Sequence, residues 1–149
     1  MQDDEGYRLG VGMVIRRPDR KILWCKRVGM DAWQFPQGGI ERGESAETAM
    51  WRELNEEVGL LSDHVELLQT IDQLLCYEFP SAMQMSYKGQ KQTWFLLEML
   101  VADDPIDLTE SNEFDQWCWV DWWYPLDTIV AFKRQVYRRV LESFSPHNA

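Results

Sequence analysis

Three glutamates, Glu53, Glu56 and Glu57, stand close together in the run Trp33–Leu60, WQFPQGGIERGESAETAMWRELNEEVGL. On a helix turning about 100° per residue they share one arc of roughly 100°. Trp51, Leu54 and Val58 fall on a separate narrow stripe suited to a core. A solvated acidic face is the commoner meaning of such a helix, but two features weigh against it. Solvated helices usually set Lys four residues after Glu, and here no Lys or Arg follows Arg52 until Lys88. Like charges about 4 Å apart also repel by up to about 4 kcal/mol at an effective dielectric near 20. Either the carboxyls protonate or a divalent cation neutralises them. Oxygen ligands that leave positions for water and phosphate suit Mg²⁺, with Mn²⁺ or another divalent cation as the alternative.

The helix that carries these groups is expected over Ser45–Val58, with Ser45 as N-cap and Gly59 just past its end. Before it, GVGMVI (Gly10–Ile15) and KILWCKR (Lys21–Arg27) flank the turn RPDR and read as a hairpin, and WQFPQGG reads as a loop. After it, Val65–Phe79 holds one or two strands. Gln92–Val101 is too apolar for a wet face and is expected to be central, and DQWCWVDW alternates like another strand. A last helix is expected over about Thr128–Phe144, with Phe132, Val136 and Val140 on one stripe. This order predicts a mixed β-sheet between helices, an α/β or α+β sandwich, in a single domain spanning 1–149.

The chain has 149 residues, 45% of them apolar, and eight tryptophans, which provide ample material for a core. A formal net charge of −10 excludes a broad basic surface for coating nucleic acid, but not an anionic substrate held through metal and a few cations. No apolar run approaches the roughly 20 residues of a membrane span. The opening MQDDEGY is acidic where a secretory signal is basic and then apolar. Cys25, Cys76 and Cys118 are odd in number and widely spaced, and read as small reduced core residues of a cytoplasmic protein. His64 and His147 lack partners at metal-ligand spacing and read as surface residues.

Gly38, Glu44, Arg52, Glu53, Leu54, Glu56, Glu57, Gly59 and Leu60 match every fixed position of the Nudix box, which makes the chain resemble a Nudix hydrolase. The resemblance implies the Nudix fold, with a loop–helix–loop box over 38–60. It also implies metal-dependent hydrolysis of a nucleoside diphosphate linked to another moiety. By the same resemblance, Glu53, Glu56 and Glu57 coordinate divalent metal, and Glu53 also activates water. Arg52 and Glu44 support the metal-binding helix, and the main chain around Gln37 and Gly38 supplies a carbonyl ligand. The attacked phosphorus is left open.

Outside the box, GYRLGVGMVI, WQFPQGGI, GQKQTWFLL, EFDQWCWVDWWYP and FKRQVYRRV resemble the bacterial RNA pyrophosphohydrolases, relatives of the dinucleoside polyphosphate hydrolases. The likeness runs from about Asp4 to Phe144. It implies removal of pyrophosphate or phosphate from the 5′ end of RNA, leaving a monophosphate and promoting mRNA decay. Arg8 and Arg27 would contact phosphate or the first nucleotides, Glu113 would be a further metal ligand, and Val130, Phe132 and Lys133 would form a base pocket. An exposed aromatic beside a cation suits single-stranded RNA. Plainer readings stand beside these: Arg8 capping a strand edge, Arg27 paired with Asp31, Phe132 as core, the KR and RR pairs as a solvated face, and Trp117 and Trp119 as core.

Relatives often carry a Lys/Arg-rich segment where this chain has PSAMQMSYKGQ, and some extend into a basic tail where it has SPHNA. The chain is therefore expected to hold only the first few nucleotides of RNA. The alternatives are a dinucleoside polyphosphate hydrolase and a silent nucleotide or RNA sensor on the same fold. The intact set of like-charged glutamates disfavours the sensor.

Overall fold

The computed structural model describes residues 1–83 and 85–145. Alternation along most of its strands divides the apolar residues between two faces of one sheet. On β1 (Tyr7–Arg16), Val11, Met13 and Ile15 face one way and Val14 the other. On β2 (Ile22–Arg27), Leu23 and Cys25 oppose Ile22 and Trp24 in the same manner. Two short strands follow, β3 (Trp33–Gln34) and β4 (Gln37–Gly39), then helix α1 (Ala46–Val58). Strand β5 (Val65–Glu78) is long and bulged, β6 (Gly89–Met99) lies between it and β1, and β7 (Phe114–Val120) pairs with β2. The chain closes with the short helix α2 (Pro125–Thr128), a 3₁₀ turn at Ala131–Lys133 and helix α3 (Arg134–Phe144).

The sheet runs β3-β2-β1-β6-β5, with β4 also on β1, and it is mixed because β1 and β6 are parallel from Tyr7↔Gly89 to Arg16↔Glu98. Helix α1 covers one face through Ala49, Met50, Leu54 and Val58. Helix α3 covers the other through Val136, Tyr137, Val140, Leu141 and Phe144, around the rings of Trp24, Phe35 and Trp94. The expected sandwich and the central position of the Gln92 segment are both present. Trp117 and Trp119 are half-buried against the α1-side core. No helix among the described residues is long and apolar enough to cross a membrane.

Several expectations need correction. WQFPQGG is not only loop: β3 and β4 form within it because Cys25 and Lys26 pair with Gln34 and Trp33, and β1 pairs with Gln37–Gly39. Val65–Phe79 is one strand whose bulges absorb its irregular pattern. The last helix does not run unbroken from Thr128. Ile129 and Val130 are extended, with ψ of 145° and 140°, so Phe132 leaves the Val136–Val140 stripe and sits in the 3₁₀ turn. Cys25 is buried, but Cys76 is exposed on β5 and Cys118 is only half-buried. His64 is half-buried and accepts the Leu61 N–H at 3.0 Å, whereas His147 lies outside the described residues.

Candidate active site

Helix α1 forms where local signals call for it. The Ser45 hydroxyl accepts the Thr48 N–H at 3.1 Å, and Gly59 takes a left-handed φ of 76° that ends the helix. The glutamate arc does not face open water. Glu53 and Glu57 are buried, at 9% and 7% exposure, and Glu56 lies at the rim. The Glu53 carboxyl rests directly on the α-carbon of Gly38, where an added Cβ would overlap its Cγ, Cδ and Oε2 well inside 3.0 Å. Gly39 likewise gives its space to the Arg8 guanidinium. The glycine pair beside the acidic helix thus permits close approach rather than an unusual turn.

Arg52, expected with Glu44 to support this helix, also reaches the crowded carboxylates themselves. Its guanidinium makes a two-point contact with Glu44 at 2.8 and 2.9 Å and donates to the Gly39 carbonyl at 2.8 Å. Its Nη1 also reaches Glu53 Oε1 at 2.8 Å and Glu56 Oε2 at 3.2 Å. Arg52 thus offsets part of the like charge, at Glu53 and Glu56, while Glu57 takes a hydroxyl rather than a cation. The Arg52 pair pulls the Glu44 carboxyl down to about 2, while burial pushes the Glu53 carboxyl up against the pull of Arg52.

A cavity of about 500 Å³ opens above Gly38 and gathers Arg8, Arg27, Gln37, Glu53, Glu56, Glu57, Glu113, Phe132 and Lys133. Ten of the thirteen predicted site residues therefore share its wall; Glu44 and Arg52 stand behind it, and Val130 lines an adjoining cavity of about 370 Å³. Glu113 arrives from the start of β7, where Gln34 donates to its Oε1 at 2.7 Å. Burial, with the Glu57 charge adding to it, pushes Glu113 up to about 7 against Arg27 and Lys133. Lys133 is buried rather than solvated. It donates to Gln34 Oε1 at 3.0 Å, and burial with the nearby Arg27 charge pushes it down to about 8. Arg27 and Asp31 form no ion pair among the described residues. Phe132 is half-buried at the cavity edge, with ring centres 5.7 Å from Tyr77 and 6.0 Å from Phe79.

Each of the four carboxylates in the wall has one oxygen engaged and one without a protein partner among the described residues. Glu53 Oε1 and Glu56 Oε2 take Arg52, Glu57 Oε2 takes the Ser111 hydroxyl at 2.8 Å, and Glu113 Oε1 takes Gln34. The second oxygens are hard donors of the kind Mg²⁺ or Mn²⁺ accepts. No three acidic, Cys or His side chains among the described residues close into a finished metal cage. The donor set thus fits a divalent cation by its chemistry.

Sequence reasoning missed several wall and support residues. Ser111 donates to Glu57 and accepts the N–H groups of Glu113 and Phe114 at 3.1 and 2.9 Å, tying the start of β7 to α1. That serine turn was legible in SNEF. The Tyr77 hydroxyl is buried without a hydrogen-bond partner among the described residues, Gln34 joins Glu113 to Lys133, and Met83 and Met85 overhang the cavity. These carried no local signal, because they reach the site only through strand pairing and loop placement.

The NUDIX domain model matches residues 6–143. The chain is 48% identical to the RNA pyrophosphohydrolase of Teredinibacter turnerae, covering 100% of this chain and 92% of that protein. It is 45% identical to the enzyme of the same name from Shewanella piezotolerans, covering 98% and 88%. The counterpart from Actinobacillus pleuropneumoniae is 49% identical, covering 97% and 74%. Among solved structures, the E. coli dihydroneopterin triphosphate pyrophosphohydrolase superposes with a TM-score of 0.72 at 22% identity, covering 93% of this chain and 99% of that one. A C. elegans Ap4A hydrolase does so at 0.68 and 18%, covering 93% and 98%. At these identities the two structures speak for the fold alone.

Proposed function

The chain belongs to the Nudix family of hydrolases, and from that premise we propose that it is an RNA pyrophosphohydrolase that converts 5′-triphosphate or 5′-diphosphate RNA ends to monophosphates. Such an activity promotes mRNA decay and belongs in the cytoplasm, within one domain. The observation that carries the reading is the composition of the cavity wall. Four carboxylates with one uncommitted oxygen each face Arg8, Arg27 and Lys133, and an adjoining pocket is formed by Val130, Phe132 and Met30. Carboxylates and cations together suit a polyphosphate, and the half-buried Phe132 ring at its edge suits a base.

Hydrolases of this family use divalent cations. We assign Mg²⁺, or Mn²⁺, to Glu53, Glu56, Glu57 and Glu113, with a main-chain carbonyl at Gln37–Gly38. When bound, it lowers the pKa of a coordinated water and offsets charge on the phosphate oxygens. The residues of this chain do the rest. Glu53, held against Gly38 and turned by Arg52, accepts a proton from the attacking water. Arg8 and Arg27 neutralise the polyphosphate, and the Tyr77 hydroxyl offers a donor to an anionic oxygen. One P–O–P bond is broken, and each phosphorus product carries an oxygen from water or from the former bridge. Glu44 fixes Arg52 and therefore the helix that carries the carboxylates.

The test compares 5′-triphosphorylated RNA with a dinucleoside tetraphosphate, each with and without Mg²⁺. Metal-dependent turnover with higher kcat/KM on RNA supports the reading. Higher kcat/KM on the dinucleotide would instead make this a dinucleoside polyphosphate hydrolase, and binding without turnover would make it a sensor.

A further inference from the structure

Beyond the base pocket at Val130 and Phe132 lies a further cavity of about 420 Å³, which shares Asp31, Ala32, Trp33 and Thr128 with it and is completed by Trp24 and Tyr124 among others. The base pocket in turn shares Phe132 and Lys133 with the catalytic cavity, so three hollows adjoin one another across common walls. We propose that this third hollow is the subsite for the base of the third nucleotide of the RNA substrate. The inference rests on the RNA reading above and extends it.

The wall chemistry selects a base over a phosphate. Among the described residues no Lys or Arg lines the hollow and Asp31 contributes its only carboxylate, so a phosphate there would meet repulsion without compensation. Aromatic surface is abundant instead. The Trp24 ring is buried beneath the site, Trp33 is half-buried in its wall and Tyr124 is 43% exposed at its mouth. Every base has a π-face that such rings accept regardless of sequence. The Asp31 carboxylate, the Trp33 indole N–H and the Thr128 hydroxyl have no protein hydrogen-bond or ion-pair partner among the described residues. They are acceptors and donors available to a base edge. The chain direction agrees: 5′ phosphates take the catalytic cavity, the base of the second nucleotide takes the Phe132 pocket, and the next step along the strand reaches the Trp33–Tyr124 hollow.

The experiment measures kcat/KM on 5′-triphosphorylated oligonucleotides of two, three and four residues, with dinucleoside tetraphosphate as a control. The wild type should gain on passing from two residues to three and change little at four. A base stacked on one aromatic contributes about 1–3 kcal/mol, or roughly 5- to 150-fold. Tyr124→Ala should lose most of that gain while keeping its rate on the two-residue substrate. Tyr124→Phe should restore it, because the ring rather than the hydroxyl does the stacking. If the wild type gains nothing from the third residue, or Tyr124→Ala suffers equally on both lengths with an unchanged melting temperature, the proposal is overturned. Turnover of the dinucleotide control with none of any oligonucleotide would overturn the RNA reading itself. That pattern is distinct from a missing third-residue gain.

Discussion

Replacing Gly38 by Ala should cripple the enzyme while leaving it folded. The added methyl would overlap the Glu53 carboxyl well inside 3.0 Å, whereas carbon atoms rest comfortably at about 3.5–4.0 Å. Glu53 must therefore retreat by roughly 1 Å or more. It cannot do so freely, because its Oε1 is tied to Arg52 at 2.8 Å and Arg52 is tied to Glu44 and the Gly39 carbonyl. Relief by backbone shift is also opposed, since Gly38 pairs with Val11 in the sheet. Overpacking of this kind costs about 1–3 kcal/mol, which lowers the melting temperature of a domain this size by roughly 2–12 °C. A misplacement of about 1 Å at a reacting centre costs on the order of 100-fold in rate. The assay is kcat on 5′-triphosphorylated RNA at saturating Mg²⁺, run well below the melting temperature measured by circular dichroism. A rate within threefold of wild type would refute the claim that the Glu53–Gly38 contact positions the reacting group.

Other outcomes follow from the same geometry. Phe132→Ala should lose roughly 5- to 150-fold on RNA, from about 1–3 kcal/mol of stacking, with little loss on a bare nucleoside triphosphate; equal losses with a large drop in melting temperature would return Phe132 to the core. With few cations facing phosphate, RNA affinity should fall with salt by a log–log slope of about −2, and Arg27→Ala should flatten it by roughly 0.7; a titration by fluorescence anisotropy reads both. The Arg52-held Glu44 carboxyl ionises near 2 instead of 4.5, so folding favours its charged form. Its contribution to stability is complete above about pH 4.5 and is lost as pH falls towards and through 2; denaturant midpoints should show this decline in wild type and a shallower one in Glu44→Gln. Mg²⁺ or Mn²⁺ should raise the melting temperature in proportion to the logarithm of its concentration, and a Glu53→Gln, Glu57→Gln double variant should abolish the rise.

The sequence by itself determined what repeats or caps within a few residues. The span of α1, the arc of Glu53, Glu56 and Glu57, the cap at Ser45 and the stop at Gly59 all follow from local geometry and local hydrogen bonds. The largely apolar run of Gln92–Val101 likewise announced a central strand covered on both faces. Motif spacing carried the family, because its fixed positions lie on one loop–helix–loop.

Tertiary structure decided the rest, because charge neutralisation and burial depend on groups far apart in the chain. Only folding shows that Arg52 restrains the crowded carboxylates, and that Glu113 and Lys133 meet through Gln34, residues 79 and 99 positions from it. The last helix shows the same limit. Its apolar period continues through Phe132, yet Ile129 and Val130 turn extended, which brings the Lys133 amine to Gln34 and the Phe132 ring to the catalytic cavity. Periodicity reports which residues share a face of a helix if the helix persists. Whether it persists is set by contacts across the fold, and at the 3₁₀ turn those contacts prevail.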